Sequence, residues 1–344
     1  MGLWQARAAA VLWVGMAVGA VAPAWAGKMV EAVRQRDQLV VGVSTGVPGF
    51  SAADSQGRWS GLDVDLARAV AAAVLGDANK VKWVPLASAQ RFAALQSGEV
   101  DLLSRNTTVT LTRDAGMGLA FTAVAFYDGQ GFMVPAKLKV KSAQQLRNAT
   151  VCVQSGTTSE KNLADFSRAH KLGLKPVVFE KFDAANAAYF AGRCQAYTTD
   201  ASGLAAVRAR EARDPKAHVI LPDLISKEPL GPLVRRGDEE WTTVVRWVLH
   251  GLVEAEELGV TQANVDQLLT ESTDPAVLRL LGKGEDLGKP LGLDKDWMVR
   301  AIKAVGHYGQ IYERNVGEAT PVGLPRGRNR LWKDGGLMYA LPLR

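Results

Sequence analysis

The chain has 344 residues, of which 47% are hydrophobic and 22% charged. That is the composition of a globular protein long enough for two domains and a sizeable core. The net charge of +6 is modest and includes Arg7 of an amino-terminal leader. The rest of the basic excess is scattered, which argues against a nucleic-acid-binding surface, and the one cluster, Arg326-Gly327-Arg328-Asn329-Arg330, reads as a solvated tail.

Residues 1–26 read as a secretory signal peptide. Arg7 supplies a positive start, AAAVLWVGMAVGAV an apolar run, and Ala24-Trp25-Ala26 a small-x-small cleavage site, so the mature chain is expected to begin at Gly27. The apolar run is short for a membrane span and ends at Pro23. No second long apolar run follows, and a soluble mature protein is expected.

In chain order, the mature part opens with an expected strand, Gln38–Val43, and a loop, Ser44–Phe50. An apolar face at helical spacing begins near Leu62 and runs through Leu66, Ala69, Val70, Ala73 and Val74. A strand Val81–Val84 follows, then a helix capped by Ser88 and ending at Gly98, then a strand Val100–Leu103. The polar stretch Ser104–Thr122 comes next, where hydroxyls and amides crowd around Arg105 and Arg113. The grammar then restarts. Ala149–Val153 reads as a strand, Gln154-Ser155-Gly156 as a turn, and Thr157-Thr-Ser-Glu160 as a capping box opening a helix. A strand Val177–Phe179, a helix Ala184–Ala191 and a strand Cys194–Thr199 ending at Asp200 complete the second half. Alternating strands and helices predict two α/β domains with largely parallel sheets. Tyr127–Gly131 and Glu228–Pro232 look like crossings between them. The second lobe is then an insertion over 132–227, and the first comprises 27–128 and 232–344. Helices are expected near Trp241–Leu258 and Asp296–Asn315, the latter in a carboxyl-terminal extension from about residue 260.

Cys152 and Cys194 form an even pair and, in an oxidising compartment, one disulfide. It would close a loop of about 40 residues, worth about 3–4 kcal/mol in the chain-entropy model. The four histidines, at 170, 218, 250 and 307, show no metal-ligand spacing, and no metal or cofactor is expected.

Two α/β lobes joined by two strands make a cleft, and ligands in open α/β sheets bind beyond the carboxyl ends of the strands. The start of the helix at Thr157/Thr158 offers free N–H groups to a carboxylate, or is an ordinary cap. Arg113 can supply a bidentate guanidinium, or a surface ion pair with Asp114. Asp200 can take an ammonium, or cap the next helix, or both. Together they form the pattern that an α-amino acid requires. Gly42-Val-Ser44-Thr-Gly46 matches a nucleophile-elbow motif, but Pro48 and Gly49 follow where a helix should start.

These residues carry a resemblance. LVVGVSTGVPGF, GLDVDLARAVAAAV, RFAALQSGEVDLLSRNTT, YDGQGFMV, VCVQSGTTSEKNLADF, YTTDASGL, ISKEPLGPLVR, EELGVTQANVD and RNVGEATPVGLPRGRNRLW resemble the substrate-binding proteins of ABC importers for polar amino acids, solute-binding protein family 3, and above all the general L-amino-acid members. The resemblance spans almost all of 27–344. It implies an α/β, two-lobed periplasmic-binding-protein clamshell of type II, each lobe a mixed, mostly parallel sheet flanked by helices, with a helical carboxyl-terminal extension. It further implies a monomer, free in the periplasm, that closes on one L-amino acid and docks on an inner-membrane ABC permease. By the same resemblance, Arg113 and Thr108 clamp the α-carboxylate from the first lobe, Thr158 closes on it from the second, and Asp200 takes the α-ammonium. Asn106 offers a backbone carbonyl to the ammonium, Phe50 forms an apolar wall, and Ser44 lines the pocket. The chain departs from relatives at Ser44, where many have aspartate, at Val47, where many have an aromatic, and at Val109, where tryptophan is expected. The missing aspartate removes a feature that favours cationic side chains, and the missing aromatic implies a roomier, less selective pocket. The rivals are a dehydratase-like or lyase-like enzyme on the same fold, a binding module feeding a receptor, and a binder of a modified amino acid such as an opine or of a small peptide.

Overall fold

The computed structural model describes residues 27–344, so the leader expected over 1–26 lies outside the described residues. Two five-stranded sheets share one plan. In the first, the order is Val81–Pro85, Leu39–Val43, Leu102–Leu103, Leu233–Arg235 and Leu119–Phe121. In the second, it is Lys175–Phe179, Thr150–Gln154, Ala196–Asp200, Gln130–Pro135 and His218–Ile220. In each sheet every strand but one points the same way; the exceptions are Leu233–Arg235 and Gln130–Pro135. Both reversed strands follow directly on the link between the lobes. That link is itself a two-stranded antiparallel ribbon, Phe126–Asp128 against Glu228–Leu230.

The expected elements are present, with bounds shifted by a few residues. The expected strand Val100–Leu103 shortens to Leu102–Leu103, and the expected helix Ala184–Ala191 runs as Phe182–Phe190. Gly98 ends its helix in the left-handed conformation, as predicted. The cap at the other end differs. Gln90 holds the cap position without a side-chain bond, and Ser88 bonds elsewhere. Thr157 does cap its helix, accepting from Glu160 N at 3.1 Å, but Glu160 reaches back to Gly156 N rather than to Thr157. The helical pattern over Asp296–Asn315 resolves into Trp297–Val305 and Tyr308–Asn315. They break at Gly306, and His307 caps the second with a reciprocal bond to Gln310.

The first lobe's core is built from distant parts of the chain. The helix Leu62–Leu75 is buried on nearly every face and packs against Trp297–Val305 and Glu239–Glu257. It can start where it does because Gly61 has φ 129° and lies against Phe50, whose carbonyl oxygen a Cβ would approach to 2.1 Å. Trp241 is buried beneath the sheet and donates its indole N–H to the Asp101 carbonyl at 3.1 Å. Arg314 closes the far side on Asp65 at 2.7 Å. In the second lobe, Cys152 and Cys194 form a disulfide that joins the strand Thr150–Gln154 to the loop before Ala196–Asp200.

The cluster Arg326–Arg330 is not a solvated tail. Arg326 pairs with Glu256 at 3.0 Å and lies over the rings of Tyr308 and Tyr312, while Asn329 is buried against the inter-lobe ribbon. Arg328 and Arg330 remain exposed.

Candidate functional site

The loops beyond the carboxyl ends of the parallel strands face one another across the cleft. One lobe contributes Ser44, Thr45, Val47, Ser88, Arg91, Arg105, Asn106 and Thr108. The other contributes Gln154, Thr157, Thr158, Ser159, Phe182, Thr199 and Asp200. The cavity they enclose is about 30 Å³.

Two hydrogen bonds hold the lobes shut across the polar faces. The Thr158 hydroxyl donates to Glu228 Oε2 at 2.9 Å and lies 3.3 Å from Thr108 Oγ1. A hydroxyl has one proton, and the buried carboxylate takes that of Thr158, so Thr108 donates to Thr158. Ser88 Oγ donates to Gln154 Oε1 at 3.2 Å. The loop that carries Thr108 is in turn pinned to the inter-lobe link, with Val109 N bonded to the Pro229 carbonyl and Gly231 N to the Thr107 carbonyl.

Of the residues singled out in the sequence, Thr108, Asn106, Ser44, Thr158 and Asp200 line the cleft. Two do not. Arg113 stands behind Thr108, its Nη1 donating to the Thr108 carbonyl at 2.9 Å and its guanidinium 5.3 Å from the Phe92 ring centre. Asp114 is not its partner; that carboxylate lies 3.9 Å from Arg236. Phe50 is not a wall of this cavity. It is buried edge-on against Phe126, whose ring stacks on Tyr312, and so belongs to the core beside the link.

The remaining placements have local causes. Ser44 ties its loop together, donating to the Ser51 carbonyl at 3.1 Å and accepting from Val47 N at 3.1 Å. Asn106 turns with φ 32°, donates its N–H to Asp63 Oδ2 at 2.9 Å, and leaves its side-chain oxygen buried without a partner. Asp200 stands at the cap position of the helix Ala201–Glu211 but does not cap it. Asp128 of the link does that work, accepting from the Ser202 hydroxyl and from Ser202 N. Asp200 is therefore left to face the cleft.

Burial dominates the electrostatics. It holds the Asp200 carboxyl well above the ordinary range, helped by Asp128 and Glu228 and opposed by Arg91 and Arg113. It lifts Asp63 to about 7 and Asp128 to about 6. Burial also lowers the guanidinium of Arg91, with Arg105 and Arg113 adding to the effect, and it takes Arg105 to about 10.

Arg91 and Phe182 have no role in the sequence reading, where Gln154 stands only in a turn, Glu228 only at a crossing between the lobes, and Arg105 only as part of a polar crowd. Arg105 was the most accessible of these, since it lies directly past a strand end. Arg91 and Phe182 sit at helix starts and carry no pattern of their own. Among the described residues, no group of three or more His, Cys, Asp or Glu could hold a metal ion, and no helix is long and apolar enough to cross a membrane.

Two lobes of like topology, joined by a two-strand link and shut by hydrogen bonds across a polar cleft, define a clamshell of the type II periplasmic-binding fold. The model of the bacterial extracellular solute-binding proteins, family 3, matches residues 39–264, and the chain belongs to that family. It is 51% identical over 334 residues to the general L-amino acid-binding periplasmic protein AapJ of Rhizobium johnstonii, covering 96% of this chain and 97% of that one. It is 50% identical over 326 residues to the glutamate/glutamine/aspartate/asparagine-binding protein BztA of Rhodobacter capsulatus, covering 94% and 96%. Among solved structures, a periplasmic binding protein of an ABC transporter from Brucella ovis with glutathione bound superposes with a TM-score of 0.89 at 52% identity, covering 92% of this chain and 99% of that one.

Proposed function

We propose that the chain captures L-amino acids of several kinds in the periplasm and delivers them to an inner-membrane ABC permease, without chemistry. The observation that carries this reading is the cleft itself. A carboxylate with no capping duty, Asp200, shares the second lobe's face of the cleft with a helix start at Thr158, and the first lobe closes on that face through Thr108, behind which stands the guanidinium of Arg113. In this reading the lobes part, the α-ammonium meets Asp200 and the Asn106 carbonyl, and the α-carboxylate meets Thr108, Thr158 and an Arg113 swung forward from Thr108. Closure then follows from contacts that only the shut form makes. The chain is taken to act as a monomer, exported through a signal cleaved after Ala26, with lobe 2 spanning 132–227, hinges near 127–131 and 228–232, and lobe 1 formed by 27–128 and 232–344.

By its name AapJ is a general L-amino acid-binding periplasmic protein, and BztA binds glutamate, glutamine, aspartate and asparagine, which supports the reading. A hydrolase reading through Ser44 lacks support, because its hydroxyl is engaged with Ser51 and no helix begins beside it.

The test is a thermal-shift screen of refolded, ligand-stripped protein against the twenty L-amino acids, their D-forms and carboxylic acids lacking the amine. A ligand at 100 times its dissociation constant adds about 2.7 kcal/mol to stability. Shifts with several L-amino acids and none with the deaminated acids are expected. A shift with deaminated acids alone, or with no amino acid, would overturn the proposal.

A further inference from the structure

We infer that a second ligand site lies outside the cleft, in the groove where the carboxyl-terminal extension faces the second lobe beside the link. It takes a small anion with an apolar body, and its occupant favours the shut form. The site itself is independent of the amino-acid reading above; its effect on amino-acid binding rests on that reading.

The groove encloses about 440 Å³, the size of a small-molecule pocket, and shares no lining residue with the cleft. One wall is the stretch 322–329 of the extension, with Tyr312. The other is one face of the helix Ala201–Glu211, where Ala201, Ala205 and Arg208 stand a turn apart. The link supplies Phe126 and Tyr127 between them. Most of this lining is apolar, and its charges do not balance. Three arginines, at 208, 326 and 328, stand against one carboxylate, Asp128. Arg326 already pairs with Glu256, and Asp128 is committed to Ser202. Arg208 on one wall and Arg328 on the other have no ion pair or side-chain hydrogen bond among the described residues. An apolar anion answers both features, since a guanidinium can meet an oxyanion with two bonds.

Each wall holds the link at one of two neighbouring residues. Asn329 of the extension bonds both backbone groups of Tyr127, and the helix holds Asp128 through Ser202. On this strand the lobes therefore meet between Tyr127 and Asp128, and turning one lobe against the other there alters the groove's width. The helix that forms the second wall also begins directly after Asp200, which faces the cleft. This groove is a feature of the shut form. A ligand that fits it binds that form in preference and so tightens amino-acid binding, and the amino acid tightens binding in the groove by the same factor.

The experiment is fluorescence titration of ligand-stripped protein with anilinonaphthalene sulfonate and with its uncharged parent, phenylnaphthylamine. The sulfonate is expected to bind at least about tenfold more tightly, the effect of one charge-assisted pair. The Arg208→Ala/Arg328→Ala double variant should lose that preference and still bind L-glutamine as the parent does. In the parent, saturating sulfonate should tighten L-glutamine binding several-fold by calorimetry, and in the double variant it should not. Equal binding of the two dyes by the parent, or a preference that survives in the double variant, overturns the site. Glutamine affinity that sulfonate leaves unchanged or weakens overturns the preference for the shut form. Failure of glutamine to bind at all counts against the amino-acid reading, and the comparison of dyes then decides the site alone.

Discussion

Asn329 grips both backbone groups of Tyr127: its Oδ1 accepts from Tyr127 N at 2.7 Å and its Nδ2 donates to the Tyr127 carbonyl at 3.1 Å. The carboxyl-terminal segment thus behaves as one more pairing partner for the ribbon that links the lobes. Asn329→Ala leaves an N–H and a carbonyl of that ribbon without partners. The expected loss is about 1–3 kcal/mol, read as a fall of several degrees in the melting temperature of the ligand-free protein. An unchanged melting curve would show that the segment does not brace the link.

In the shut cleft, burial chiefly holds the Asp200 carboxyl well above the ordinary carboxylate range. To pair with an ammonium it must give its proton up. Ligand binding should therefore release a proton, and affinity should climb with pH until the ligand-free Asp200 is itself ionised, then level off. Calorimetry in buffers of different ionisation enthalpy measures the release directly. Asp200→Asn should remove the pH dependence and weaken amino-acid binding by about 2–5 kcal/mol. Affinity that falls with rising pH would contradict the assignment of Asp200 to the ammonium.

Gly156 of the second lobe sits with φ +71°, and a Cβ there would meet Ala89 Cα of the first lobe at 3.1 Å. The shut cleft brings backbone against backbone at this point. Gly156→Asn, which tolerates left-handed geometry better than other substitutions, separates strain from obstruction. The variant should melt within a few degrees of the parent without ligand and bind amino acids several-fold more weakly. Full affinity in that variant would mean that the lobes do not approach as closely in the bound form.

The disulfide Cys152–Cys194 spans 42 residues of sequence. Removing it by reduction or by a Cys152→Ser/Cys194→Ser double change should cost about 4 kcal/mol in the chain-entropy model. Hydrogen exchange is expected to place the loss in the strands Thr150–Gln154 and Ala196–Asp200 before the first lobe is affected. Equal protection in reduced and oxidised protein would leave the bond without a stabilising role.

Much of this was legible in the sequence because it rests on local signals. The alternation of apolar strands with capped helices gave the two like-built lobes, and strand-end positions pointed to Thr158 and Asp200, while Thr108 came only from the family resemblance. What escaped depends on tertiary packing. Ser88 stands where a cap would, yet Gln154 from the other lobe offers its side chain a better acceptor. Phe50 looks like a loop aromatic free to meet a ligand, but Phe126 and Tyr312 claim the apolar space behind it. The basic run Arg326–Arg330 looks solvated until Glu256, Tyr308 and Tyr312 supply one arginine with a carboxylate and two ring faces. Arg91 resembles any polar helix start, and nothing local marks it as a residue that lines the cavity.

The strand order also sets a timetable. Every strand of the second sheet and both cysteines lie within one unbroken run from Gln130 to Ile220. The first sheet lacks its fourth strand until Leu233–Arg235 arrives, and its helix Leu62–Leu75 stays uncovered until Trp297–Val305 is available. A chain that appears amino end first therefore completes its middle before its beginning. The earliest-made strands wait, unsealed, for the last hundred or so residues to close over them, and such long-range closure is slow.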